Sequence, residues 1–318
     1  MAAKTLQKPL IISKVKSLTL ELTNHCQLEC PACPREHAWG EEMGVGHMAF
    51  DQAARLLDAA LPHLAYLGLT GLGETFLYPR LTEVVDLVRR KSEHVTLFLS
   101  TNAYSPHSEV LCDRMADKID FLQISIDGIG DIFEKWRFPA RFDRFLTQVE
   151  AMVRIARGRR VQIHFNTVVM KENHHQMADI VRLAKDLGLR AVRFNTVNLV
   201  SNNWDLSYYG FFKSAPYLGS LLEAVHAGNS LGVDVQHGDP FQTKSFANCP
   251  YPGGHFYITW DGYLVPCCAK PFPKEKNFGN VFEKDLLLCV NDREFQSFRG
   301  KANTGETPDF CSRCHIVQ

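Results

Sequence analysis

The chain is expected to be an α/β protein: six βα units around a parallel sheet, followed by a small cysteine-rich region. Two observations carry this. From Val15 to about Val197 short β-branched runs alternate with amphipathic stretches, the rhythm of repeated βα units. After residue 248 the composition changes, with prolines, glycines and six of the ten cysteines gathered there.

The strands are read at Val15 to Leu22, Leu64 to Thr70, Val95 to Ser100, Phe121 to Ile126, Val161 to Val168 and Ala191 to Val197. Helices are expected between them at Asp51 to Leu61, Arg80 to Arg90, Ser108 to Asp117, Phe142 to Arg157 and His174 to Leu187, each with apolar residues at helical spacing. A further helix, Ala215 to Leu231, closes this part of the chain. Three units follow from the reading: an N-terminal segment at 1–14, the βα region at 15–231 and the cysteine-rich region at 232–318.

Composition excludes several classes. With 318 residues and 45% hydrophobic content a packed core is assured. Lysine plus arginine and aspartate plus glutamate balance at 35 each, so no basic field points to nucleic acid or an anionic membrane. Met1 to Pro9 has no apolar signal core, and no later run reaches membrane-spanning length. A cytoplasmic protein is expected, in which ten cysteines serve as metal ligands and buried thiols more readily than as disulfides.

Just after the first strand, Cys26-Gln27-Leu28-Glu29-Cys30-Pro31-Ala32-Cys33 places three thiols within eight residues. Soft thiolates suit iron–sulfur clusters, which commonly take four. Three leave one iron open, much as a catalytic zinc keeps a vacant position. A zinc site or free cysteines are the plainer alternatives. With this C-x3-C-x2-C spacing the sequence resembles the radical S-adenosylmethionine (SAM) enzymes. The resemblance implies a partial (βα)6 TIM-like barrel, a [4Fe-4S] cluster on Cys26, Cys30 and Cys33, and SAM chelated to the open iron. An injected electron would split SAM to a 5'-deoxyadenosyl radical, and a flavodoxin or ferredoxin is the implied donor. Ala32 stands where the family usually has an aromatic residue near the adenine.

In βα barrels function collects where the strands end. After the second strand, Gly71-Leu72-Gly73-Glu74 resembles the family's Gly-Gly-Glu-Pro motif, which implies Gly73 and Glu74 as holders of the SAM amino group. Ser100-Thr101-Asn102, with Ala103 in a glycine's place, resembles the Thr-Asn-Gly segment. Ser125-Ile126-Asp127-Gly128 resembles a segment near the SAM ribose and carboxylate. Asn102, Ser125 and Asp127 are therefore cofactor candidates, against a plain reading as turn residues. His164 with Asn166, and Arg193 with Asn195, share strand faces; the two asparagines, nearest the strand ends, are weak substrate candidates. The loop residues His37, Trp136, Arg137, Trp204 and Tyr208 rank below them.

Cys249, Gly262, Cys267 and the closing Cys311-Ser312-Arg313-Cys314 resemble the C-x(9 to 15)-G-x4-C and C-x2-C elements of the twitch domain, the one-cluster form of the SPASM extension. This implies a single auxiliary [4Fe-4S] cluster on Cys249, Cys267, Cys311 and Cys314. Phe256 to Pro266 reads as a hairpin around Asp261-Gly262 that would draw Cys249 and Cys267 together. Zinc competes for four thiolates; the haem signature spelled by Cys311 to His315 leaves Cys249 and Cys267 unexplained. Cys112 and Cys289 read as buried hydrophobes. Cys268, beside a ligand, is a candidate catalytic thiol that could return a hydrogen atom to a substrate radical.

The resulting expectation is a SAM-dependent oxidoreductase acting on a small natural product or sugar, since only fourteen residues precede Val15. The alternatives are an epimerase, a peptide-modifying maturase, or a zinc or iron–sulfur module without turnover.

Overall fold

Nine strands join in one sheet, in the order β7-β6-β5-β4-β3-β2-β1-β8-β9. A computed structural model describes residues 16–201 and 204–318; the expected N-terminal segment and Val15 of the first strand lie outside them. In chain order the elements are β1 (Ser17–Leu20), α1 (Phe50–Ala60), β2 (Tyr66–Leu69), α2 (Leu81–Lys91), β3 (Thr96–Thr101), α3 (Ser108–Met115), β4 (Phe121–Ser125) and α4 (Asp131–Trp136). They continue with α5 (Phe142–Ala156), β5 (Gln162–Val169), α6 (Met177–Leu187), β6 (Ala191–Thr196), α7 (Ala215–Leu231) and β7 (Asp234–His237). The C-terminal part adds β8 (His255–Ile258), β9 (Leu264–Val265), α8 (Leu286–Val290) and α9 (Arg293–Thr304).

All neighbours are parallel except β8 and β9, which form the hairpin expected from the sequence. The arrangement is that of a partial TIM-like barrel. The hairpin does not stand apart: β8 runs parallel to β1, pairing Ser17 with His255 and Leu20 with Ile258. The C-terminal cysteine region thus enters the same sheet that carries the first cysteine loop.

Strand alternation divides the sheet into two faces. Leu18, Leu67, Leu99, Leu122, Phe165 and Phe194 are buried in one core with the helices' apolar stripes. The opposite, inner face is polar, with Ser100, Gln123, Ser125, His164, Asn166, Arg193 and Asn195 in sequence positions that alternate with the core residues. Gln123 Nε2 donates to Ser100 Oγ at 3.2 Å across the strands. Toward the strand starts this face opens into a cavity of about 800 Å³ lined by Tyr66, Phe98, Phe121, Gln162, His164 and Arg193. That cavity lies at the end of the sheet away from the cysteine loops.

Helix ends follow their signals. Gly188 and Gly232 end α6 and α7 in the left-handed region, at φ 85° and 68°, where a Cβ is disfavoured. Among the described residues, no helix is long and apolar enough to cross a membrane.

Candidate active site and auxiliary cysteine site

The loop after β1 carries Cys26, Cys30 and Cys33, all partly buried. Cys33 N donates to Cys30 O at 2.8 Å, and Glu36 N to Cys33 O at 3.0 Å, so a tight turn holds the second and third thiols. Burial pushes the Cys30 thiol up to about 12 and the Cys33 thiol to about 11, and raises Cys26 as well. Such thiols stay protonated until a metal takes them, so loading releases protons.

The glycine-rich loop after β2 lies directly against this segment. A Cβ on Gly73 would stand 2.6 Å from the carbonyl oxygens of Thr23 and His25, so only glycine lets the two loops touch. Glu74 N then donates to His25 O at 2.7 Å. The Glu74 carboxylate is 2% exposed. Its Oε1 accepts from Phe76 N at 3.0 Å and Thr101 Oγ1 at 2.6 Å, and its Oε2 from Asn102 N at 2.6 Å. A carboxylate has about four acceptor sites, so one on Oε2 is unused among the described residues. Burial raises the acid's pKa, and these three donors oppose the rise.

Asn102 faces the thiols: its Nδ2 lies 3.6 Å from Cys26 Sγ, and its Oδ1 accepts from Gln27 Nε2 at 3.0 Å. Gln27 Oε1 is buried and, among the described residues, without a hydrogen-bond partner. Ala103, in the glycine's place, adopts φ 52°, a left-handed conformation costing an L-residue roughly 1–2 kcal/mol.

Asp127 has protein partners on both carboxylate oxygens. Its Oδ1 accepts from Val168 N at 2.8 Å, and its Oδ2 lies 2.8 Å from Arg137 Nε. The carboxylate thus anchors a buried arginine whose charge acts on all three thiols of the first loop. Ser125 ends β4 on the inner face, paired in register with Asn166. The two asparagines bond each other, Asn195 Nδ2 donating to Asn166 Oδ1 at 2.7 Å.

In the C-terminal region Cys249, Cys267, Cys311 and Cys314 are close enough for their charges to oppose one another's ionisation. Burial adds to this, pushing Cys249 up to about 11 and Cys311 to about 12. Gly262 sits at φ 90°, where a Cβ would fall 2.4 Å from the Phe282 ring. The closing C-x2-C is tied to the loop after β6. Asn198 Nδ2 lies 3.6 Å from Cys314 Sγ, Tyr209 Oη donates to Arg313 O at 2.8 Å, and Arg313 donates to Leu199 O and Trp204 O. Cys268 is exposed as a residue, but its thiol is buried, 2.6 Å from the Tyr251 hydroxyl and beside Cys249, Cys267 and Cys314. Cys112 and Cys289 are buried, at 0% and 1% exposure. Among the described residues no three His, Cys, Asp or Glu side chains converge as a single ion requires. Three thiols beside a free acceptor site, and a second group of four thiols with Cys268 next to it, are donor sets that fit two clusters.

Glu21, Gln27 and Asn198 stand out only in three dimensions, and Arg137, a low-ranked loop candidate in the sequence, gains its partner Asp127 there. Glu21 is 0% exposed, at the end of β1. Burial lifts its carboxyl to about 7, aided by Asp261 and opposed by donors from Leu72, Tyr257 and Trp260. The folded state therefore holds a proton that the unfolded chain, near 4.5, has lost. Stability falls as pH rises from about 4.5 to about 7, by on the order of 3 kcal/mol, and stays lost above. Thermal unfolding should accordingly place Glu21→Gln above wild type at about pH 8 and level with it near about pH 5. An equal gap at both values would show that Glu21 does not titrate in this window.

Comparison with known proteins agrees with this geometry. Residues 20–184 match the family model of the Radical SAM superfamily, and residues 249–315 match that of the SPASM iron-sulfur cluster-binding domain. The tungsten-containing aldehyde ferredoxin oxidoreductase cofactor-modifying protein of Pyrococcus furiosus is 26% identical over 310 residues, covering 90% of this chain and 83% of its own. The antilisterial bacteriocin subtilosin biosynthesis protein AlbA of Bacillus subtilis is 24% identical over 86% of this chain and 59% of its own. The PqqA peptide cyclase of Gluconobacter oxydans is 26% identical over 94% and 82%. Among solved structures, Streptococcus suis SuiB bound to its precursor peptide SuiA superposes with a TM-score of 0.71 at 16% identity, over 96% of this chain and 70% of that one.

Proposed function

The chain belongs to the radical SAM superfamily, and we propose that within it the protein oxidatively modifies a peptide. Its cofactors are SAM, a [4Fe-4S] cluster with an open iron, and auxiliary iron–sulfur binding in the C-terminal region. The observation that carries the peptide reading is the similarity to relatives named for bacteriocin biosynthesis and peptide cyclisation, over most of this chain. It outweighs the expectation of a sugar-like substrate, which rested only on the short stretch before Val15. The polar inner face supports it too, since its amides and hydroxyls can bond an extended peptide backbone.

When bound, the cluster and SAM supply hydrogen abstraction from an unactivated carbon, and that chemistry is the cofactors' own. The chain's part is to hold and orient. In this reading Cys26, Cys30 and Cys33 ligate the reactive cluster, and Arg137 offsets their negative charge. Gly73 brings the loop's backbone close, and the free acceptor site on Glu74 Oε2 takes the SAM ammonium. Asn102 and Ser125 offer hydrogen bonds, while Asp127 acts through Arg137. Cys249, Cys267, Cys311 and Cys314 hold one auxiliary cluster, with Asn198 donating to the Cys314 sulfur. Trp136, Trp204 and Tyr208, with ring centroids 6.2 and 5.2 Å apart in sequence, run from beside Arg137 to the carbonyl that accepts from Arg313. They offer the peptide an apolar wall, with Asn166 and Asn195 as polar contacts. A flavodoxin or ferredoxin supplies the electron, in the cytoplasm.

Oxidation is favoured over epimerisation because the thiol of Cys268, the candidate hydrogen donor, is buried against the Tyr251 hydroxyl and beside the auxiliary thiols Cys249, Cys267 and Cys314. The reconstituted protein, given SAM, reductant and the short peptides encoded beside its gene, should lower one peptide's mass by a hydrogen pair. Cys268→Ala should do the same in deuterated water. Solvent deuterium in a product of unchanged hydrogen count, lost in that variant, would replace oxidation by epimerisation. Turnover of small molecules with every peptide untouched would overturn the peptide reading.

A further inference from the structure

Glu21 is a buried carboxylate that no step above uses, yet it receives three hydrogen bonds from two separate stretches of chain. Leu72 N donates to Oε2 at 2.8 Å, from the glycine-rich loop. Tyr257 Oη donates to the same oxygen at 2.8 Å, from β8, and Trp260 N reaches Oε1 at 3.4 Å, from the β8–β9 turn. The fit on the loop side is close: a Cβ on Gly71 would lie 2.3 Å from Glu21 Cγ. So the first glycine of the Gly71–Glu74 loop exists to let this side chain pass. The hairpin side is equally fitted. A Cβ on Gly46 would strike the Trp260 ring at 2.3 Å, and Gly46 N donates to Asn24 Oδ1 at 2.9 Å, two residues before Cys26.

The glycine-rich loop leads to Glu74, and the hairpin leads to Cys267. One carboxylate therefore joins the segment read as the SAM anchor to the segment read as the auxiliary cluster's holder. A core residue would need no polar side chain here, and burying a carboxylate without a cation is costly. Its retention between two such segments calls for a role that leucine cannot fill.

We propose that Glu21 is a positioning residue that locks the Gly71–Glu74 loop to the C-terminal hairpin, so that a contact made by the hairpin sets the affinity for SAM. Hairpin and loop then respond as one unit: a change in the β8–β9 hairpin is felt at SAM through Tyr257, Glu21 and Leu72. This rests on the reading of Glu74 as the SAM anchor.

The test uses the reconstituted full chain with Glu21→Ala, Glu21→Gln, Tyr257→Phe and the Glu21→Ala/Tyr257→Phe pair, with iron content as control. SAM affinity is read from the change SAM causes in the reduced cluster's EPR spectrum, and loop order from amide hydrogen exchange over residues 71–76 without SAM. Glu21→Ala should weaken SAM about tenfold and speed exchange in the loop, whereas Glu21→Gln, whose amide oxygen still accepts from Leu72, should stay within about twofold. Tyr257→Phe should weaken SAM about threefold in wild type and not at all beside Glu21→Ala, the non-additivity of a shared contact. If Glu21→Ala fails to fold, Tyr257→Phe and Glu21→Gln still decide. Unchanged SAM affinity in Tyr257→Phe, or additive losses in the pair, would overturn the coupling. Normal SAM binding by Glu74→Gln, with loop exchange still raised in Glu21→Ala, would overturn the anchor reading and leave the lock standing.

Discussion

Cys30→Ala should reconstitute with about four fewer irons per chain than wild type and release no 5'-deoxyadenosine. Cys30 is the middle thiol of the loop, its carbonyl bonded to Cys33 N at 2.8 Å. Cys267→Ala should also lose about four irons but keep SAM cleavage, because the two thiol groups sit on different loops. Cys112→Ala serves as the control: its sulfur, buried against Met152 O at 3.9 Å, should leave iron and cleavage unchanged while costing stability on the order of 1–2 kcal/mol. Iron and sulfide analysis with chromatography of the cleavage product measures all three. Loss of all iron in Cys267→Ala would mean that the C-terminal thiols are needed to build the first cluster. Stoichiometric zinc at the second group would show that the donor set there is tetrahedral and structural.

The six βα strands were readable because each buries one face, which leaves a local apolar period. β7, with the sequence Asp234-Val235-Gln236-His237, leaves no such period: it is a largely exposed edge strand, paired to β6 alone among the described residues. The pairing of β8 with β1 could not be seen from spacing either, since it joins segments at opposite ends of the chain. The site divides the same way. Cysteine triplets announce themselves because a cluster demands close local spacing, and the strand-end glycines because loops must touch. Glu21 and Asn198 act through contacts 51 and 116 positions away, where local pattern carries no information, while Arg137, only a low-ranked loop candidate in the sequence, meets Asp127 10 positions away. Asp127, a cofactor candidate through the resemblance of Ser125 to Gly128, has its oxygens on Val168 N and Arg137 in the fold, partners that its local context did not indicate.

Arg137→Leu should destabilise the protein by about 3–5 kcal/mol, the cost of leaving one member of a buried ion pair alone. The pair qualifies: its side chains are 13% and 8% exposed, with Nε 2.8 Å from Oδ2. Asp127→Asn together with Arg137→Leu should recover most of that loss, because the amide oxygen can still accept from Val168 N and no bare charge remains. The double variant then isolates what the arginine does for the cluster. A cation that favours ionised Cys26, Cys30 and Cys33 also favours the extra electron of a reduced cluster, so removing it should move the reduction potential to more negative values. A shift on the order of 60 mV corresponds to a tenfold change in a one-electron equilibrium, and an EPR-monitored redox titration resolves it. SAM cleavage with a donor of fixed potential should slow in parallel, and recover with a stronger reductant. A stable double variant with the wild-type potential would reduce Arg137 to the partner of Asp127; a lowered potential with normal iron content would make it the residue through which the chain tunes its reactive cluster.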